Sequence, residues 1–362
     1  MTVGIAPRDA PALVLVGGVH GLERIGTQVV LAYLGAVLAR LRWDRSFRRE
    51  LSRARMVFVP LVNPVGMARG TRANGRGVDL MRNAPPHPDS WATPLVGGQR
   101  ISRRLPWYMG KRGAPMEPEL LGLEALLERE AFAASASICL DAHSGFGMVD
   151  RLWFPYARTR RPPPHLAEIH AVAELLDETL PNHVYSFEPQ AGFYTIEGDF
   201  WDYAYDRFRA ANPGGTMVQL TLEMGSWSWV RKNPRQLLSR FGSFDPMVPH
   251  RRRPTLRRHL ALLDLLWRAV LSPDAWSVMS ARRASARRSP AGTRGSERAS
   301  ARARRALRCP STCGPTGRRG AANRPARPGR ARPDRGRESQ RLRRSHHRNR
   351  GWRATARRLQ SR

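Results

Sequence analysis

Cysteine is scarce in this 362-residue chain: Cys139 stands alone in the first 280 residues, and Cys309 and Cys313 lie near the end. A single cysteine excludes a disulfide framework in the body and fits a reducing compartment, so a cytoplasmic location is the expectation. The Cys309/Cys313 pair has no histidine or second cysteine pair beside it, which argues against a metal site there. No basic stretch followed by an apolar core and a small-residue cleavage site opens the chain, so no secretory leader is read. The apolar run 10–18 is too short to span a bilayer, and no membrane partner is expected.

Other absences mark a boundary. From 281 onward there is no Val, Ile, Phe, Tyr, Met or Lys. A segment built mainly from Arg, Ala, Gly, Pro and Ser cannot bury enough apolar surface to offset its ordering entropy, so 277–362 is expected to be a disordered tail. Two origins fit it: a genuine basic arm, or an out-of-frame read of a GC-rich gene, which the absence of Lys beside 27 Arg favours. The tail also dominates the charge. Of the net +33, those 27 arginines and three acids account for +24, which leaves +9 for the first 280 residues. Arginine clusters neutralise phosphates without sequence preference, so non-specific nucleic-acid binding through the tail is expected, while the body shows no recognisable nucleic-acid module.

What the body does contain is an alternation of buried strands and amphipathic helices. Residues 11–17, 56–62, 138–140 and 217–222 read as strands, being apolar runs that end in Gly, Asn-Pro or polar residues. Residues 24–41, 117–134, 165–180 and 256–271 carry apolar groups at helical spacing, with Pro118 near one start where a missing N–H costs nothing. Strands alternating with helices imply an α/β fold, a mixed but largely parallel central sheet flanked by helices, in one domain over 1–276. Cys139, inside an apolar run, is expected to be a buried packing residue. His165, His170 and His183 read as surface or satisfied histidines, and Arg158–Arg161 with Pro162–Pro164 and Arg251–Arg253 as solvated segments.

The segment Gly17-Gly-Val-His20-Gly-Leu-Glu23 follows one strand and precedes a helix. Imidazole and carboxylate are good Zn2+ ligands, and a catalytic zinc wants three protein ligands with one position open. Leu140-Asp-Ala-His143-Ser144, at the end of another strand, can supply the third. A lone His-x-x-Glu is a weak signal, and a polar loop explains it as well.

Its surroundings are more specific. Gly-Gly-Val-His20-Gly-Leu-Glu23, Asn63-Pro-Val-Gly66, Arg72-Ala-Asn-Gly-Arg-Gly77-Val-Asp79-Leu-Met-Arg82-Asn83, Leu140-Asp-Ala-His143-Ser144 and Thr221-Leu-Glu223 occur in that order, with a weaker block from Tyr194 to Tyr205. Together they resemble the zinc carboxypeptidase (metallocarboxypeptidase) family over about residues 12–270. The resemblance implies one Zn2+ per chain held by His20, Glu23 and His143, with Glu223 as the general base. It implies that Arg72 polarises the scissile carbonyl, in rivalry with the nearby Arg69. It further implies that Arg82, with Asn83 beside it, grips a terminal carboxylate and that Tyr194 covers the bound substrate. The expected substrate is a peptide, or an acyl-amino acid.

Three departures qualify the resemblance. Met81 stands where the family has Asn beside the gripping arginine, and a thioether donates no hydrogen bond to a carboxylate. Trp201 stands where the side-chain pocket is lined, so its bulk is expected to fill that pocket or stack on substrate. The strand pair that the family places ahead of the His-x-x-Glu strand has no counterpart, as in a late-started or trimmed member. The departures keep other readings open: an amidase or deacylase of small acyl-amino acids or murein peptides, and an inactive fold that binds nucleic acid through the tail.

Overall fold

A computed structural model describes residues 1–145 and 147–278. The arginine-rich segment from 279 onward, with Cys309 and Cys313 and the expected disorder, lies outside the described residues.

Among the described residues seven strands form one sheet: β1 (Thr2–Val3), β2 (Ala12–Gly17), β3 (Arg55–Val59), β4 (Ala136–Gly145), β5 (Arg151–Phe154), β6 (Ser186–Pro189) and β7 (Thr216–Gly225). Their order across the sheet is β1-β3-β2-β4-β7-β5-β6. The pairs β2/β3, β2/β4, β4/β7 and β5/β6 run parallel, and β1/β3 and β5/β7 antiparallel. The mixed, largely parallel sheet expected from the alternating pattern is therefore present. Among the described residues eight α-helices accompany it: α1 (Arg24–Trp43), α2 (Arg45–Glu50), α3 (Pro64–Arg69), α4 (Pro118–Leu127), α5 (Leu166–Thr179), α6 (Phe200–Ala211), α7 (Trp227–Lys232) and α8 (Pro249–Leu271).

Period-two alternation distributes the central strands between two cores. Leu13 and Leu15 face α1, α5 and α8, packing with Ile25, Val29, Ile169, Leu263 and Leu266. Val14 and Val16 face α4 and α6, packing with Leu120, Leu123, Phe200 and Phe208. β2 is buried along its whole length, as a strand covered by helices on both faces must be. α1 is 20 residues long with a mean hydropathy of 1.2, enough by length and composition to cross a membrane. Its Ile25, Val29, Val30, Tyr33 and Val37 are buried in the protein core. The start of α1 approaches β4 closely: a Cβ on Gly26 would lie 2.1 Å from the Ala142 carbonyl oxygen, so only glycine fits there.

Several boundaries differ from expectation. The second strand stops at Val59, before Pro60, which cannot donate to a ladder. The third runs well past Leu140, to Gly145. The helix expected over 117–134 ends at Leu127 and continues as a wider π-helical turn, Glu128–Phe132. α8 begins at Pro249 and holds Pro254 inside it. A two-residue strand, β1, does precede the His-x-x-Glu strand and pairs with β3, in place of the missing strand pair.

Candidate metal centre and reaction cavity

The site forms at the carboxyl ends of the parallel strands, where α/β sheets place their crevices. β2 ends at Gly17 and the loop that follows carries His20 and Glu23 into the start of α1. β4 carries His143 near its end, and β7 carries Glu223 directly opposite it in register. His20, Glu23 and His143 are each buried, and one ligand atom from each lies within 4.8 Å of the other two.

His20 Nδ1 lies 2.9 Å from Glu23 Oε1, His143 Nδ1 3.0 Å from Glu23 Oε2, and the two Nδ1 atoms 3.2 Å from each other. Ligands 2.0–2.1 Å from a tetrahedral zinc stand roughly 3.3 Å apart, so the three atoms suit that ion. The far side of each ring is held by a carboxylate: His20 Nε2 by Asp79 at 3.2 Å and His143 Nε2 by Asp141 at 2.8 Å. A proton on Nε2 shared with a carboxylate leaves the Nδ1 lone pair for a metal. The donor set and its support both fit a catalytic zinc.

Charge is heavily compensated on this side. Burial pushes the Glu23 carboxyl up, but the imidazoles of His20 and His143 outweigh it and hold the group well below the usual carboxylate range. The Ser144 N–H also donates to Glu23 Oε2 at 3.0 Å. Burial likewise works against the charge on Asp79, and the guanidiniums of Arg72 and Arg82 with His20 reverse it, holding Asp79 low. Arg72 donates through Nε to Asp79 at 2.8 Å and through one terminal nitrogen to Glu23 at 3.3 Å. Arg82, fully buried, donates to Asp79 at 3.1 Å and to the Val96 carbonyl at 2.9 Å.

Glu223 is different. It is half-buried and makes no hydrogen bond or ion pair among the described residues. Burial, then the nearby charge of Glu23, push its carboxyl up to about 8. Gly145 makes room for it, since a Cβ there would sit 2.1 Å from Glu223 Oε1. His20, Glu23, Arg72, Asp79, Arg82, His143 and Glu223 line one cavity of about 910 Å3, together with Met81, Tyr194 and Thr221. Tyr194 is half-buried and meets Trp153 edge-on at 6.3 Å between ring centres.

Of the residues expected from sequence, His20, Glu23, His143, Glu223, Arg72, Arg82 and Tyr194 are brought together on this cavity, and Asn83 is not. Its amide donates to the Met109 carbonyl at 2.9 Å and accepts from the Glu117 N–H at 2.6 Å, bracing the wall from behind. Trp201 neither lines nor fills the cavity. It is buried on α6 and donates through Nε1 to Asp141 at 2.8 Å, on the oxygen that holds His143. Arg158 is a further correction: it is buried, with ion pairs to Asp202 at 3.6 Å and Asp206 at 2.7 Å, both on α6. Cys139 is the buried packing residue expected.

Reasoning from sequence missed Asp79 and Asp141 as supports of the histidines, although both lie within the matching blocks. Asp141 is two residues before His143 on one strand, hence on the same face, which was the available signal. It also missed Asp199, the N-cap of α6, which lines the cavity. One of its oxygens accepts from the Trp201 and Asp202 N–H groups and the other is buried without a partner.

A family profile described as zinc carboxypeptidase matches residues 3–229. The chain belongs to the zinc carboxypeptidase family. No curated protein matches it. Among solved structures it is similar to thrombin-activatable fibrinolysis inhibitor, at 21% identity and a TM-score of 0.55 over 75% of this chain and 65% of that one. It is similar also to the bovine form of that protein in complex with a tick carboxypeptidase inhibitor, at 19% identity and 0.53 over 75% of this chain and 86% of that one. Carboxypeptidase A from Helicoverpa armigera gives 18% identity and 0.50 over 75% of this chain and 62% of that one. At these identities the likeness is one of zinc carboxypeptidase fold, and the chain spans less than two thirds of the first and third structures.

Proposed function

We propose that this chain is a zinc-dependent hydrolase that cleaves a C-terminal peptide bond or a peptide-like amide, with one Zn2+ per chain held by His20, Glu23 and His143. The observation that carries the reading is the convergence of two imidazole nitrogens and a carboxylate, each fixed from behind, beside the unpartnered carboxylate of Glu223 directly opposite His143 on the next strand. When bound, the zinc ion supplies Lewis acidity, lowering the pKa of water and polarising a carbonyl. Glu223 accepts a proton from the attacking water and returns it to the leaving amine nitrogen. A desolvated carboxyl holds a proton more tightly than one in water, which suits a group that must take a proton and then deliver it. Arg72 keeps its positive charge at any working pH and stabilises the carbonyl oxygen as that oxygen gains charge. Arg82 meets a substrate carboxylate, and Tyr194 covers the substrate from the other wall.

Met81 favours a broader substrate range than that of a strict carboxypeptidase. It lines the cavity beside Arg82 and adds no donor, so a free terminal carboxylate is gripped by Arg82 without a second polar side chain. Amides of small acyl-amino acids, or murein-type peptides, then compete with C-terminal peptide bonds as substrates.

Elemental analysis of the full chain tests the metal centre. About one zinc per chain is expected, and none in the His20→Ala/His143→Ala variant. Zinc content unchanged by that double substitution would reject the site. Glu223→Gln should keep its zinc and lose ~10²–10⁴-fold in rate against peptides and acyl-amino acids. Full activity in that variant would overturn the role given to Glu223.

A further inference from the structure

The mouth of the cavity is basic in a way that the proposed chemistry does not use. Between Asp89 and Glu117 the sequence has no acidic residue, while Arg100, Arg103, Arg104, Lys111 and Arg112 fall within it. The middle of this stretch is a closed loop. Its base is joined by backbone hydrogen bonds from Gln99 N–H to the Trp107 carbonyl and from Met109 N–H to the Gln99 carbonyl, both 2.9 Å. The buried Gln99 amide fills the interior: its nitrogen donates to the carbonyls of Ser102, Leu105 and Pro106, and its oxygen accepts from the Ile101 and Ser102 N–H groups. A loop stapled at five points by one side chain presents its outer residues in a fixed place. Those outer residues include Arg103 and Arg104, both exposed and both on the cavity.

The loop packs against the turn that follows Arg72. A Cβ on Gly77 would lie 3.3 Å from Arg103 Cβ, and Arg69 donates to the Gly75 carbonyl at 3.1 Å. Arg69, Arg76, Arg103 and Arg104 therefore gather around one turn at the mouth. Arg76 has a loose ion pair with Glu117 at 3.6 Å, and the other three have no acidic partner among the described residues. Arg72 and Arg82 are by contrast neutralised by Asp79 and Glu23. Clustered guanidiniums on a braced backbone, three of the four without an acidic partner among the described residues, are suited to planar anions such as carboxylates.

We infer that this rim is a subsite for an acidic peptide, one carrying glutamate or aspartate side chains near the scissile bond. The inference rests on the hydrolase reading for its position beside the reacting groups. A peptide is favoured over another polyanion because the rim opens directly onto the metal centre and Glu223.

The test uses the full, zinc-loaded chain, so that the tail contributes equally throughout. Peptides identical but for Glu or Gln beside the scissile bond should differ at least tenfold in kcat/KM at low salt, in favour of Glu. The ratio should approach one in Arg103→Gln/Arg104→Gln and at high ionic strength, and largely return in Arg103→Lys/Arg104→Lys. Equal rates for the two peptides, or a preference that survives the glutamine substitutions, would overturn the subsite while leaving the hydrolase intact. If neither peptide is cleaved, fluorescence anisotropy of a labelled Glu peptide decides. A Kd weakened tenfold by the glutamine substitutions keeps the subsite and rejects the hydrolase, and an unchanged Kd rejects the subsite. A labelled single-stranded oligonucleotide that depends more strongly on Arg103 and Arg104 than the Glu peptide does would overturn the assignment to peptides.

Discussion

The two walls of the reaction cavity differ in how fully their polar groups are paired. On the wall built from the β2 loop and the 72–82 segment, Asp79 meets Arg72, Arg82 and His20, and Glu23 meets His20, His143, Arg72 and the Ser144 N–H. On the wall built from β7 and the start of α6, Glu223 has no partner and Asp199 leaves one buried oxygen unpaired. The first wall is over-determined, each of its carboxylates being held by several donors at once. The second keeps carboxyls that burial pushes up from the ordinary carboxylate range. A hydrolytic site of the proposed kind needs both: a fixed frame for a cation, and a group free to exchange a proton.

Gly145→Ala breaks the contrast most directly. The new methyl would take the place of Glu223 Oε1 and displace the carboxylate, while leaving the zinc ligands alone. Zinc content should stay near that of the parent and the rate should fall about 10²-fold, the usual cost of misplacing a reacting group by ~1 Å. An unchanged rate would show that Glu223 acts from another position. Asp141→Asn probes the other wall. An amide that presents its N–H₂ to His143 Nε2 reverses the tautomer, and one that presents its oxygen lacks the charge. Zinc affinity should fall ~10–100-fold, read by competition with a chelator.

The smallest expected effect concerns Asp199. Burial raises its carboxyl to about 6, above the ordinary 3.8. A carboxyl raised on folding contributes stability that is fully present below its unfolded value and is lost as pH rises through the folded one. Asp199→Asn keeps an oxygen for the α6 cap and removes the charge. Its stability relative to the parent should therefore improve by about 2 kcal/mol between pH 4 and pH 8, read by denaturant unfolding. A difference that is flat with pH would mean that the buried oxygen has a compensating partner, and the contrast between the walls would lose one of its members.

The strands that deliver His20 and His143 were legible as short continuous apolar runs, and the one that delivers Glu223 as apolar residues alternating with Gln219 and Thr221. β5 and β6 were not, being four residues long and flanked or ended by Arg, Asp and Pro. α6 could have been read: Phe200, Ala204 and Phe208 recur at helical spacing behind an Asp cap, but the aromatic density obscured the pattern. Two misreadings followed from missing that helix. Arg158 looked solvated because the acids that bury it, Asp202 and Asp206, face it only once α6 is formed. Trp201 was placed at the pocket by its position in the resemblance, and its partner Asp141 lies 60 residues away on another strand. The candidate ligand set was readable from the ordered blocks that resemble the family, and its support was not, because support is tertiary.

The pairing of His143 with Glu223 across β4 and β7 has a consequence for how such a protein can diversify. The two residues share one rung of a parallel ladder on neighbouring strands, so the offset of their Cα atoms is the ordinary interstrand spacing of about 4.8 Å. Backbone hydrogen bonds set that interval, and no loop contributes to it. The residues that line the rest of the cavity, from Arg69 to Tyr108 and from Gln190 to Asp199, lie mostly on connections outside the ladder. Those connections can be lengthened, exchanged or recharged without retuning the interval at which the chemistry operates. The sheet serves as a fixed gauge, and the loops serve as interchangeable tooling mounted on it.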